Sequence, residues 1–151
     1  MESSYLHNCD NCNERCNHCL LTQALKSNYT NLMMDTKFAL VIHGDTPSTS
    51  RLYDAISSGA LPIIISANLY EQGLPFLKKV PWFDFCFFIS QFEATEEIIR
   101  QILDIIENVD ESVLKYKFET MRKYVRDVSW THPESRIVKN VVTDAHETCR
   151  I

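Results

Sequence analysis

Phe38-Ala39-Leu40-Val41-Ile42-His43-Gly44-Asp45-Thr46-Pro47-Ser48-Thr49-Ser50-Arg51-Leu52-Tyr53-Asp54-Ala55-Ile56-Ser57-Ser58-Gly59-Ala60-Leu61-Pro62-Ile63-Ile64-Ile65 carries the architecture of this chain in one run. It begins with an unbroken apolar segment of strand length and turns at Gly44. Thr46 then offers a helix N-cap, with Pro47 just inside the first turn. Gly59 after Ser57-Ser58 is a helix stop, and Leu61 to Ile65 reads as a second strand buried on both faces. The unit is β-loop-α-β with parallel strands.

Such a unit brings the carboxyl end of its first strand to the amino end of its helix, where backbone N–H groups and the helix dipole favour an anion. Hydroxyls at Thr46, Ser48, Thr49 and Ser50 add donors, and Arg51 adds a positive charge. Phosphate is the natural guest. A second reading stands beside it: the hydroxyls only cap the helix, and Arg51 and Asp54, three residues apart, pair on its surface for a few tenths of a kcal/mol. Physical chemistry alone leaves both open.

The wording Gly44-Asp45-Thr46-Pro47-Ser48-Thr49-Ser50-Arg51-Leu52-Tyr53-Asp54-Ala55-Ile56, then Ser58-Gly59-Ala60-Leu61-Pro62-Ile63-Ile64-Ile65-Ser66, and later Leu74-Pro75-Phe76, resembles the exostosin family of glycosyltransferases, two-domain enzymes of the GT-B type. The resemblance runs from Leu32 into the helices after Phe92, and it matches the carboxyl-terminal half of the family's enzyme, which binds the nucleotide-sugar donor. It implies a uridine diphosphate sugar as donor, transfer with inversion to a glycan or glycoprotein acceptor, and no required cofactor. It also implies a Golgi membrane or lumenal setting. Neither the family's membrane anchor nor its amino-terminal acceptor-binding half is matched, so the expectation is a partial enzyme, inactive alone, although Met1 permits a complete short reading frame.

By the same resemblance the donor-binding set is His43, Gly44, Thr49, Ser50, Arg51, Asp54 and Glu71. Gly44 lets the backbone approach the phosphates. Thr49 and Ser50 donate to diphosphate oxygens, Arg51 neutralises the leaving diphosphate where no metal does so, and Asp54 accepts from the ribose hydroxyls. The chain departs from the family in places. Ile42-His43-Gly44 stands where Pro-Arg-Gly is usual, and a neutral imidazole lacks the charge and fork of arginine. Gly73 stands where a Glu directly precedes Leu-Pro-Phe, with Glu71 two residues earlier, and Asp54 stands where Glu is frequent. An inverting transferase needs a general base; in GT-B enzymes it commonly comes from the other half, so none is assigned. Asp45, beside a diphosphate-binding turn, is expected to shape the loop or meet a sugar hydroxyl.

At 151 residues, 45% hydrophobic and 23% charged, the chain is long enough for one globular domain with a real core. A net charge of -5 without long runs argues against a nucleic-acid partner. No stretch has the roughly 20 apolar residues of a membrane span. Residues 1–28 form a polar lead-in, and 29–151 the exostosin-like domain. Cys9, Cys12, Cys16 and Cys19 in the lead-in are spaced C-x2-C-x3-C-x2-C, with His7 and His18 interleaved. Three fates remain open: disulfides in an oxidising lumen, packing along one helical face, or a metal site, for which the central spacing is short. Asn28-Tyr29-Thr30 is a glycosylation sequon.

Elsewhere, residues 29–35 are expected to end a helix with Leu32 and Met33 in the core. Ser66 to Gln72 forms a loop on the same rim as the Gly44 turn, where open α/β sheets hold ligands. Trp82 to Ile89 reads as a third strand, its aromatics serving the core. From Thr95 the period becomes helical. Ile98, Ile99, Ile102, Leu103, Ile106 and Val109 make one core stripe, and Leu114, Phe118, Met121, Val125 and Val128 another; Glu96, Glu97, Arg100, Lys117 and Arg122 fall to a solvated surface. Thr131-His132-Pro133-Glu134 fits a capping box opening a last helix through Ile137, Val138, Val141, Val142 and Ala145, with His132 structural. The sum is an α/β fold: a Rossmann-like half of a GT-B enzyme, its mostly parallel sheet flanked by helices, with a helical carboxyl-terminal region. Two further functions compete with donor binding, a catalytically silent nucleotide-binding or interaction module that keeps the fold, and a small zinc protein centred on the lead-in.

Overall fold

A computed structural model of the chain describes residues 28–42, 49–66, 73–90 and 94–149. The chain divides into two compact units, Met1–Leu32 and Met33–Ile151. Of the first, residues 28–32 are described; they are helical and exposed, Leu32 at 56%. Leu32 is therefore not the core residue its hydrophobicity suggested. Met33 is: it packs on Ala39, Ala55 and Ala60.

In the second unit Phe38–Ile42 (β1), Leu61–Ile65 (β2) and Phe87–Ile89 (β3) make a parallel sheet in the order β1-β2-β3. Phe38 registers with Leu61 and Ile63 with Phe87. All five residues of β2 are buried, as the Leu-Pro-Ile-Ile-Ile run requires of a strand covered on both sides. Pro62 sits where its missing N–H is tolerable, one residue into the strand. Between β1 and β2 runs α1 (Ser50–Ser58), which sets Leu52, Ala55 and Ile56 against the sheet and turns Ser50, Arg51 and Asp54 to solvent. Burial of Leu52 and Ile56 contributes roughly 1.5–3 kcal/mol each. Gly59 ends the helix at φ 89°, the left-handed conformation that glycine adopts without a Cβ clash.

The same face of the sheet carries the main core, in which Val41 and Ile64 meet Leu52, Ile56, Trp82, Phe85, Leu114, Met121 and Val128. Its outer layer includes α4 (Glu111–Val128), whose Leu114, Phe118, Met121, Val125 and Val128 stripe packs as expected. The opposite face is served by α3 (Thr95–Asn108) through Ile98, Ile102 and Ile105 against Ile63, Ile65 and Ile89.

Several expectations need correction. α1 starts at Ser50 with Thr49 as N-cap, three residues beyond Thr46; Thr46 and Pro47 lie outside the described residues. Trp82 to Phe85 is not strand but a short helix, α2, and only Phe87–Ile89 joins the sheet. Pro81 has no N–H to give a ladder, and the Cys86 N–H closes back on the Trp82 carbonyl at 2.9 Å. The α3 stripe is half right, since Ile99, Leu103 and Ile106 are about half exposed, at 51, 48 and 47%. The last helix, α5 (Ile137–Thr148), begins after Arg136, not Thr131. No capping box forms: the Glu134 N–H donates to His132 Nδ1, and the Glu134 carboxylate reaches Arg126. Ile137 of α5 is buried, whereas Val138, Val141, Val142 and Ala145 face water. Beside Ile137 the helix buries Asn140, which donates to the Asp127 carbonyl and carboxylate at 3.3 and 3.2 Å.

Candidate functional site

Parallel strands put all three carboxyl ends on one rim, and α1 must run back against them. Its carboxyl end confirms the direction: the Ala60 N–H bonds the Ala55 carbonyl, and the Leu61 N–H bonds the carbonyl of Lys37 at the amino end of β1. The amino end of α1 therefore lies at the rim where β1 leaves at Ile42, β2 at Ser66 and β3 at Ser90. The Ser66 N–H joins this rim together by bonding the Ile89 carbonyl.

At that end Thr49 has extended backbone (φ -140°, ψ 135°), and its Oγ1 accepts the Arg51 N–H at 3.4 Å. Capping uses a lone pair of the hydroxyl and leaves its hydrogen able to donate. Ser50, Arg51 and Asp54 occupy the exposed face of the same turns, three and four residues apart. Tyr53 between them is half-buried, and burial raises its phenol above the ordinary value. The arrangement offers donors and a cation at the positive end of a helix dipole, with a carboxylate one turn further in.

Of the residues expected to bind the donor, Thr49, Ser50, Arg51 and Asp54 thus lie at the start of one helix, from its N-cap into its second turn. His43, Gly44 and Glu71 lie outside the described residues, as do Asp45, Cys9, Cys12, Cys16 and Cys19. Among the described residues no group of His, Cys, Asp and Glu is assembled to hold a metal, and no helix is long and apolar enough to cross a membrane. Hollows of about 220 and 200 Å³ lie along the Leu74 to Asp84 stretch, away from α1. They are smaller than the roughly 300–1,000 Å³ of ligand pockets.

Where the described chain resumes at Gly73, it is held by residues that sequence reasoning placed elsewhere. Trp82, 1% exposed, donates its indole N–H to the Pro75 carbonyl at 2.8 Å. Phe76 stands at φ 56°, a conformation rare for a bulky side chain, and its carbonyl accepts the N–H groups of Lys79 and Val80. Lys117, assigned to the solvated surface, instead reaches inward. Its Nζ donates to the carbonyls of Phe83, Asp84 and Cys86 at 3.2, 3.4 and 2.9 Å and lies 4.6 Å from the Phe87 ring centre. It caps the carboxyl end of α2 with a cation. Burial lowers its pKa, against the pull of Cys86 and Asp84, and burial likewise pushes the Cys86 thiol up. The signal was present in the spacing: Lys117 is three residues after Leu114 and four before Met121, on the stripe itself.

Compared with known families, residues 2–106 match the family model of the Exostosin GT47 domain. The match begins upstream of the residues that carried the resemblance, taking in the cysteine-rich lead-in, and ends inside α3. Neither the curated proteins nor the solved structures provide a match.

Proposed function

Because the chain belongs to the exostosin GT47 family of glycosyltransferases, we propose that its α/β unit is the donor-binding portion of a GT-B enzyme, taking a uridine diphosphate sugar at the amino end of α1. The observation that supports this reading is the position of Thr49, Ser50 and Arg51 at the start of a helix that begins at the carboxyl rim of a parallel sheet. The Thr49 and Ser50 hydroxyls donate to diphosphate oxygens. Arg51 places a permanent charge where negative charge grows as the sugar leaves. Asp54, one turn in, accepts from the ribose hydroxyls. The sugar passes with inversion to a glycan or glycoprotein acceptor, and the base that takes the acceptor's proton comes from a partner half, in a Golgi setting.

The test is calorimetric titration with uridine diphosphate. Saturable binding is expected. Arg51→Ala should weaken it by about tenfold or more, since a hydrogen bond to a charged group contributes about 1.5–3 kcal/mol. Asp54→Ala should weaken uridine diphosphate but spare inorganic diphosphate, which has no ribose. Absence of saturation at millimolar ligand overturns the reading. The alternative is a silent module that keeps the fold without turnover, favoured by His43 and Gly73 where the family carries Arg and Glu. His43→Arg should tighten binding where the site still grips a diphosphate and leave it unchanged in an interaction module that has lost that grip.

A further inference from the structure

Two strands end the sheet, and only one of them is defended. β3 is blunted by its length, three residues. β1 offers five, Phe-Ala-Leu-Val-Ile, with no proline, glycine or charge to discourage a neighbour. The ladder fixes which of its backbone groups are open. The Leu61 N–H goes to the Lys37 carbonyl, and on the other side of β2 the Ser66 N–H goes to the Ile89 carbonyl. In a parallel ladder alternate residues bond alternate neighbours, so Leu61, Ile63 and Ile65 bond β1 and Ile64 bonds β3. On β1 the bonds to β2 therefore fall to Ala39 and Val41. The N–H and C=O groups of Phe38, Leu40 and Ile42 point away from the sheet, and among the described residues no strand pairs with them.

The side chains of those same three residues share one face of the sheet. A strand that faces water on one side alternates apolar with polar residues. β1 does not. Ala39 and Val41 are buried, at 8 and 0% exposure, and Leu40 and Ile42, on the face that α3 leaves bare, are equally apolar yet 44 and 45% exposed. What β1 lacks is a neighbour that supplies backbone partners and apolar side chains together.

We propose that this neighbour is β1 of a second copy of the chain, paired antiparallel across a two-fold axis at Leu40. In that register Leu40 faces its own counterpart and Phe38 faces Ile42, so every open N–H and C=O on both strands finds a partner. Apolar side chains meet at each pair, and no charge is set against its like. The two-fold closes the contact and leaves no free β1 edge to propagate it. Five residues are far fewer than the roughly 20–30 a side of a standard interface, so the dimer is weak and reversible.

Sedimentation of the full chain under reducing conditions tests this, in a Val141→Lys, Val142→Lys background so that the exposed valines of α5 do not contribute. A monomer–dimer equilibrium is expected between micromolar and millimolar protein. Leu40→Lys and Leu40→Glu each set like charges opposite one another and should raise the dissociation constant about tenfold or more, whereas their one-to-one mixture should restore association. Hydrogen exchange at the Phe38, Leu40 and Ile42 amides should slow as concentration rises, while that at Ala39 and Val41 stays constant. This second readout serves where the charged variants do not fold, and exchange at Leu40 that ignores concentration overturns the proposal. A chain that stays monomeric at millimolar concentration also overturns it, and is the result expected if a strand of a different protein caps the edge. A dimer indifferent to both charges, or one that the mixture fails to restore, overturns it equally, since its contact then lies elsewhere.

Discussion

The backbone of Gly59 decides where α1 stops. At φ 89° it caps α1, and an added Cβ would meet nothing within 4 Å. The cost of Gly59→Ala is therefore purely conformational, about 1–2 kcal/mol for an L-residue in the left-handed region. Thermal unfolding should show Tm lower by about 2–6 °C, with Gly59→Asn closer to wild type. A drop well beyond that would mean the space beside Gly59 is occupied. This residue was readable in advance, because a helix stop before a strand demands a permissive backbone. Phe76 was not. Nothing in Leu-Pro-Phe announces a positive φ, which arises from the Trp82 and Val80 contacts made by residues downstream. Among site residues the division is similar. Hydroxyls before an apolar helix face marked Thr49 and Ser50 as candidates at the helix start, whereas Lys117 and Trp82 owe their contacts to carbonyls that only the tertiary fold delivers.

For whole elements, pattern revealed type better than orientation. The period from Thr95 identified α3, but its apolar arc is wider than the sheet it meets. Only Ile98, Ile102 and Ile105 contact the sheet, and the sequence contains no mark of which part of the arc that is. On its polar side Glu97 accepts from Arg100 and Gln101, which together lower its carboxyl from 4.5 to about 2, the Arg100 bond foremost. A carboxyl depressed in the folded state adds stability that is complete above its unfolded pKa and is lost as pH falls through the folded one. The window here is from 4.5 down to about 2. Carboxyl NMR titration should place the Glu97 midpoint near the lower limit, and Arg100→Ala should return it towards 4.5. The pair is exposed, so molar salt should shrink the difference. A Glu97 midpoint unaffected by Arg100→Ala would remove the ion pair from the account of α3.

At the level of the whole molecule, the uncovered apolar surface is as informative as the core. Leu40 and Ile42 lie on the same side of the sheet as their partners Ile63 and Ile65, yet are 44 and 45% exposed because α3 covers β2 and β3 and not β1. α5 shows the contrast within one helix. It presents Val138, Val141 and Val142 to water at 66, 50 and 64% exposure, while the side it turns inward is Ile137 with the polar Asn140 and, at its edge, Asp144 paired to Lys79 at 3.0 Å. The two sides should respond oppositely to substitution. Val141→Lys with Val142→Lys removes apolar surface from water without touching a buried contact, so stability should stay within about 0.5 kcal/mol per site. Concentration-dependent association and dye binding to apolar patches should fall with it. Ile137→Ala should instead cost about 2–5 kcal/mol, and Asn140→Ala about 1–3 kcal/mol through the Asp127 acceptors it leaves behind. Denaturant melts of the four positions decide the matter: a valine pair as costly as Ile137 would mean that α5 turns its valines, and not Asn140, towards the rest of the fold.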